Sequence, residues 1–464
     1  MFCRKFISGG CEILPRPNLV KGEVSDEQGL ARRIGFFSLV IYGVGDMVGA
    51  GIYGTVGVAA GVMGNAVWMA FFVSMVAAML TGLSYASLAS RYPRAAGAAY
   101  ITHRAYGWPL LSYVVGLAVA VSGMTSMAAG SNIFAQTLHA VFPEWPVPLL
   151  IGGFILALTV LNLAGIKESL RANLLCTTVE VGGLVFVIVT GLRFWGSVNY
   201  LELPQGENFS VAVLLSGAVL TFFAFIGFED MLNVAEEVKE PRWMMPWGIV
   251  SALFIVALLY IGVSVTAVSV VPASRLADSS QGAPLAQIAG VSAPWLPGWI
   301  YPAFTLFAVV NTALLNFIMA SRVLYGMARQ GLLPGVLGRV HRRRQTPHFA
   351  ILALAILVTT LAFSGNILQL ASATSLLLLS CFVVVNAALV LLRNRAGEPR
   401  GAMEVPVWVP VLGVLVCGVL VISRIFFGGG EMRAPIIAGV LVLGFILTYF
   451  FVKPRHGYLM SRDA

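Results

Sequence analysis

Acidic side chains interrupt three stretches of sequence that are otherwise apolar. Asp46 lies in Tyr42-Gly-Val-Gly-Asp-Met-Val-Gly-Ala-Gly-Ile-Tyr-Gly54, Glu180 in Thr177-Thr-Val-Glu-Val181, and Glu229 beside Asp230 in Phe225-Ile-Gly-Phe-Glu-Asp230. An acid inside a membrane-length apolar run is costly, and it marks a functional site by default. Two of these stretches also carry glycines. Five glycines in the thirteen residues 42–54 make a poor helix, at about 1 kcal/mol each relative to alanine. Gly227 weakens the second stretch in the same way. In a membrane, backbone groups freed by a break must find partners, so a break is tolerable only beside a cavity or a ligand.

The chemistry of such breaks follows from the backbone. Amides around Ala50, Gly51 and Ile52 begin a half-helix whose positive end attracts a carboxylate. Carbonyls before that break, at Asp46 and Met47, and in the second stretch, at Phe225 and Ile226, accept hydrogen bonds from an ammonium. Donors for an anion and acceptors for a cation in one place fit an α-amino acid. Glu180 adds proton chemistry. At helical spacing Asn173, Thr177, Glu180 and Gly183 share one face, so the acid points into a bundle, where it can take up a proton on one side of the membrane and release it on the other.

The elements that position these groups are membrane-spanning helices. The chain has 464 residues, 58% hydrophobic and 11% charged, against about 25% charged in soluble domains. Apolar runs of about 18 to 25 residues, each enough to cross a bilayer as a helix, recur from Ile34 almost to the C-terminus. Alternating strand patterns that would indicate an outer-membrane barrel are absent. Twelve spans are expected, at 35–62, 65–90, 109–141, 146–165, 172–195, 211–236, 243–271, 298–326, 348–365, 367–392, 405–427 and 434–452. With the N-terminus inside, every Lys and Arg except Arg193, Arg275, Arg424 and Arg433 falls in an inner segment, which orients both termini to the cytoplasm. The expected domains are a cytoplasmic tail over 1–33, a transmembrane domain over 34–453 and a second tail over 454–464. The longest outer loop, 272–297, contains the run Pro284-Leu-Ala-Gln-Ile and is expected to cover the outer mouth. The breaks fall in the first and sixth spans. Broken helices at matching positions in two halves are a pointer to a transporter's substrate site, and here they give a repeat of five helices, inverted and repeated.

Other chemistries fit poorly. The net charge of +9 sits in short loops beside the spans, where it serves orientation rather than nucleic acid. Cys3, Cys11, Cys176, Cys381 and Cys417 show no CxxC spacing and no disulfide ladder. Gly49-Ala-Gly-Ile-Tyr-Gly54 matches a dinucleotide fingerprint, yet the βαβ unit and downstream acid that it needs are missing. His103, His139, His341, His348 and His456 form no HExxH pair, and neither a nucleophile elbow nor a nucleotide loop is present. No metal, cofactor or enzymatic activity is expected.

Several segments resemble the amino acid–polyamine–organocation family. They are Gly49-Ala-Gly-Ile52, Arg91-Tyr-Pro-Arg-Ala-Ala-Gly-Ala-Ala-Tyr100, Phe223-Ala-Phe-Ile-Gly-Phe-Glu229, Ala235-Glu-Glu-Val-Lys-Glu-Pro241 and Ser321-Arg-Val-Leu-Tyr-Gly-Met-Ala-Arg329. They span nearly the whole chain in order, and Ala235–Pro241 is most like the cationic-amino-acid branch. The resemblance implies an all-α integral membrane fold with a LeuT-like five-plus-five inverted repeat and two additional C-terminal helices. It further implies alternating access and proton-coupled uptake or exchange of amino acids across the plasma (inner) membrane, with an amino acid/polyamine exchanger or sodium coupling as the alternative. By position, the substrate carboxylate meets the amides of Ala50, Gly51 and Ile52, and the amino group meets carbonyls near Met47 and Phe225 to Gly227. Glu229 stands where the family often has a gating acid. Ser122, Ser126, Phe228, Thr312 and Asn316 are pocket candidates. Many proton-coupled members carry a lysine midway along the fifth span, and the matching residue here is Glu180. Asp46, one turn before Ala50, is the other unusual acid.

Overall fold

The computed structural model describes residues 30–204, 210–278, 283–363, 367–426, 433–452 and 454. The expected tails, 1–33 and 454–464, therefore lie almost wholly outside the described residues, as do Cys3, Cys11 and His456. Sixteen α-helices follow one another among the described residues: α1 (Phe36–Val48), α2 (Ala50–Met63), α3 (Val67–Arg91), α4 (Gly97–Tyr106), α5 (Pro109–Val141), α6 (Val147–Ala164), α7 (Ile166–Gly191) and α8 (Val211–Phe222). They continue with α9 (Pro241–Val270), α10 (Ala273–Ala277), α11 (Pro284–Ser292), α12 (Ile300–Arg329), α13 (His348–Ala362), α14 (Ile367–Asn394), α15 (Trp408–Phe426) and α16 (Arg433–Val452). Proline opens α5, α9 and α11, where its missing N–H costs nothing.

Ten helical stretches among the described residues are long and apolar enough to cross a membrane. Two features separate this from the expected twelve. α2 passes through a tight turn at Gly64–Ala66 into α3, so 51–91 reads as one stretch of 41 residues, while α1, with 13 residues, stands alone and short. α13 has only 15 residues. The segment before α5, read as loop in sequence, forms α4. The expected mouth-covering loop contains α10 and α11. α11 lies against α2, α7 and α9, and Gly57 of α2 sits directly beneath Leu276 and Pro284.

α1 is enclosed by α7, α9 and α12, and α5 packs along α12 and α14. α15 and α16 pack on α14, with further contacts to α3 and α5 respectively. α16 leaves Ile436, Val440, Leu443 and Leu447 exposed in one stripe at helical spacing, a face suited to lipid. The interior, by contrast, holds many small residues, among them Ala59, Ala60, Ala78, Ala86, Ala89 and Ala120. Such residues let membrane helices approach closely enough to gain dispersion energy without a hydrophobic drive.

Candidate functional site

The two weak points of the sequence are backbone breaks, and they meet. α1 stops at Val48, Gly49 turns the chain (φ −46°, ψ −156°), and α2 restarts at Ala50 with no side-chain cap. Its first amides, those of Ala50, Gly51 and Ile52, thus head a helix whose initial N–H groups have no intrahelical partners. The second break begins where α8 gives way to a 3-10 turn over Phe223–Phe225. Ile226 is extended, Gly227 takes φ +131°, and a 3-10 helix runs over Phe228–Glu237. The Gly227 amide donates to Glu229 Oε2 at 2.9 Å, so the acid caps the break that follows it. Gly51 abuts the Ala224 backbone, a Cβ there lying 3.1 Å from Ala224 Cα. Tyr260 of α9 closes the junction. Its hydroxyl is 2.6 Å from the Met47 carbonyl oxygen and 3.0 Å from that of Ala224, and it links the two breaks through a single donor.

A cavity of about 240 Å³ lies between these breaks and helices α5, α12 and α14. Of the sequence-predicted residues, Asp46, Met47, Gly51, Ser122, Ser126, Ile226, Gly227, Glu229, Thr312 and Asn316 line it. Ile52, Phe225 and Phe228 are fully buried in the packing around it and do not line it. Ala50 contributes its backbone at the head of α2. The Thr312 hydroxyl is buried without a hydrogen-bond partner and stands directly against Gly49, while Asn316 turns its amide back to the Thr312 carbonyl at 2.9 Å.

Glu180 is brought to the first break but not to the cavity. Asn311 of α12 donates from Nδ2 to Glu180 Oε2 at 2.9 Å, and lies 3.0 Å from the Thr177 hydroxyl and 3.4 Å from the Gly45 carbonyl. Asn173 joins the cluster through Asn311 Oδ1 (3.0 Å) and the Thr177 hydroxyl (2.9 Å). The shared face read from sequence is thus a hydrogen-bonded plate behind α1. Glu180 Oε1 is buried without a partner.

At their basic ends the broken helices are tied together. Arg33 and Ile34 donate their amides to the Glu237 carbonyl, and Lys239 returns the bond to Ile34. The Glu237 carboxylate is fully buried and paired with Arg322 of α12 at 3.1 Å. Nearby, Glu404 pairs with Arg91, and Glu398 accepts from Arg104 and from the Tyr92 hydroxyl at 2.7 Å. Burial and the Glu398 carboxylate hold the Tyr92 phenol well above its ordinary range. The connection between α14 and α15 is therefore clasped to the end of α3 and to α4.

The site also holds Asp230, Tyr260 and Asn311, to which the sequence assigns no role. Asp230 lines the same cavity as Asp46. Its signal was present, a second acid in the same weak stretch. Asn311, an amide next to Thr312 in an apolar span, was also legible. Tyr260 carries no sequence mark that separates it from a packing aromatic.

Residues 34–453 match the family described as amino acid permease. Among similar proteins, the vacuolar cationic amino acid transporter 4 of Arabidopsis thaliana is 33% identical over 388 residues, which cover 78% of this chain and 64% of the plant protein. The branched-chain amino acid permease BcaP of Bacillus subtilis (strain 168) is 28% identical over 463 residues, covering 94% of this chain and 96% of that one. A methylthioribose transporter of the same bacterium is 28% identical over 456 residues, with the same coverages. The chain thus spans less than two thirds of the plant relative and nearly all of the bacterial ones.

Proposed function

The chain belongs to the amino acid permease family, whose members compared above are transporters rather than enzymes, and from that premise we propose that it carries amino acids across a cell membrane by alternating access. The observation that carries the proposal is the meeting of two broken helices at one cavity that contains a helix N-terminus and carboxyl groups. A substrate carboxylate binds the amides of Ala50, Gly51 and Ile52, where α2 presents its positive end. The substrate ammonium lies toward Asp46, Met47 and the chain from Phe225 to Gly227. Ser122, Ser126, Thr312 and Asn316 contact the side chain, with Phe228 supporting the wall from behind.

The architecture proposed is twelve spans. The pair α1 and α2 counts as the first span, α8 together with the 3-10 helix as the sixth, and α13 as the ninth. Five-plus-five inverted symmetry relates the first ten, and α15 and α16 are additional. Both termini lie in the cytoplasm and the membrane is the plasma membrane, a reading supported by the inner placement of Lys and Arg. Transport is proton-coupled, with Asp46 and Glu229 as acids facing the substrate. Glu180 acts in gating, by fixing Asn311 against the Gly45 carbonyl. Saturable uptake of labelled amino acids into proteoliposomes tests the reading. Its failure, or equal uptake by protein-free vesicles, removes it.

A further inference from the structure

Arg424, one of the four basic residues that the sequence places on the outer side, lies in the last turn of α15. It is half-buried, and among the described residues it has no hydrogen bond or ion pair. A cation there serves the helix dipole and the membrane interface. Arg424 also lines a cavity of about 440 Å³ between α2, α8, α14 and α15, where it is the one charged lining residue among those described. Gly51, Phe223, Ile226 and Ser375 line both this cavity and the substrate cavity, so the two adjoin at the start of α2. Thr55 lines it one turn along α2 from Gly51, on the same face, and its hydroxyl is buried without a hydrogen-bond partner. The rest of the wall is apolar or glycine.

The substrate cavity has the opposite charge balance. Asp46, Glu229 and Asp230 line it, and none of its described lining residues is basic. In their ionised forms these acids draw an ammonium and repel a carboxylate, so they favour only one end of an arriving amino acid. Another cavity adjoins the site through Ile133 and Val309, and no charged residue lines it. Of the two adjoining cavities, only the one at Arg424 offers a carboxylate a cation. We infer that Arg424 is a positioning residue for entry: its guanidinium receives the carboxylate of the incoming amino acid, which then passes Thr55 to the amides of Ala50, Gly51 and Ile52. The inference deepens the proposed function and rests on it. Guanidinium and carboxylate match as a two-pronged, charge-assisted pair. An amino acid held there by its carboxylate turns its ammonium toward the acids, the orientation in which the junction binds it. Arg424 does not line the substrate cavity itself, so its loss impairs capture rather than translocation.

The test measures initial uptake of a ¹⁴C-labelled mixture of the protein amino acids by the full-length protein in proteoliposomes. Vesicles of neutral phosphatidylcholine are compared with vesicles that also contain phosphatidylglycerol. Arg424→Gln is expected to raise the apparent KM about tenfold in both, with kcat unchanged, the pattern of lost capture. Arg424→Lys keeps a cation and is expected to recover most of the loss; it also covers the case in which the Gln variant fails to fold. Added salt is expected to raise the wild-type KM by screening the attraction, and to raise that of Arg424→Gln less. An unchanged KM in Arg424→Gln overturns the inference, and a lowered melting temperature beside it assigns the arginine to anchoring α15. A Lys variant as impaired as the Gln variant overturns it too, since charge then plays no part. A difference between wild type and Arg424→Gln confined to phosphatidylglycerol vesicles overturns it in favour of a lipid headgroup. No saturable uptake by wild type in either vesicle overturns the amino acid reading beneath it.

Discussion

Gly227 packs against the peptide that joins Asp46 to Met47. A Cβ on Gly227 would lie 3.0 Å from the Asp46 carbonyl carbon and 3.1 Å from the Met47 nitrogen, and the residue holds φ +131°. Both facts demand glycine: the dihedral disfavours every L side chain, and the space is filled by backbone that no rotamer change can move. The contact is where the two broken helices touch, so its chemistry bears on both halves of the site.

Gly227→Leu and Gly51→Val are accordingly expected to abolish substrate binding while the protein still inserts. Backbone strain alone costs about 1–3 kcal/mol at a site like Gly227. Gly51→Val adds bulk against Ala224, which already stands 3.1 Å from where Cβ would be. Expression and monodispersity at wild-type levels, combined with absent ligand-induced thermal shift, is the expected pattern. Normal uptake by both variants places the site elsewhere.

Tyr260→Phe removes the hydroxyl shared by the Met47 and Ala224 carbonyls and leaves the ring in place. Loss of its hydrogen bonding is expected to cost about 1–2 kcal/mol, read as a lowered melting temperature, and to weaken binding because the carbonyls relax apart. A variant with wild-type stability and affinity shows that the junction holds without it.

Glu180→Gln keeps an oxygen to accept from Asn311, so gradient-driven accumulation is expected to persist. Glu180→Leu removes the carboxylate to which Asn311 donates at 2.9 Å and leaves its amide only the Thr177 hydroxyl and the more distant Gly45 carbonyl, at about 1–3 kcal/mol, and is expected to slow transport strongly. Equal behaviour of the two variants argues against a hydrogen-bonding role for the acid.

Arg322 and Glu237 are both fully buried. Removing one partner strands a buried charge, so Arg322→Met is expected to destabilise by about 3–5 kcal/mol, whereas Arg322→Met with Glu237→Leu recovers most of the loss. A double variant as unstable as the single shows that the cost arises from packing rather than from charge.

Much of this is legible in the sequence. Glycines at 43–54 and at 227 announce breaks because helix propensity is a local property, and the structure breaks at Gly49 and Gly227. Ser122, Ser126, Thr312 and Asn316 reach the cavity because spans that enclose a site must present it polar groups at helical spacing. What sequence hid was pairing across long separations. Nothing local says that Asp230 shares a cavity with Asp46, that Tyr260 reaches back to Met47, or that Glu180 serves Asn311 rather than the cavity. Those relations depend on how the breaks bend. Ile52, Phe225 and Phe228 show the converse, since a residue can lie within a binding motif while its side chain points into the surrounding core.

The central claim is that the junction of the two breaks recognises both ends of an amino acid. Competition against uptake of a ¹⁴C-labelled amino acid mixture into proteoliposomes measures it directly. Free L-amino acids in excess are expected to abolish uptake of label, while their methyl esters, their N-acetyl derivatives and polyamines such as putrescine leave it intact. Competition by an ester, an N-acetyl derivative or a polyamine as strong as that of the free amino acids would contradict the account.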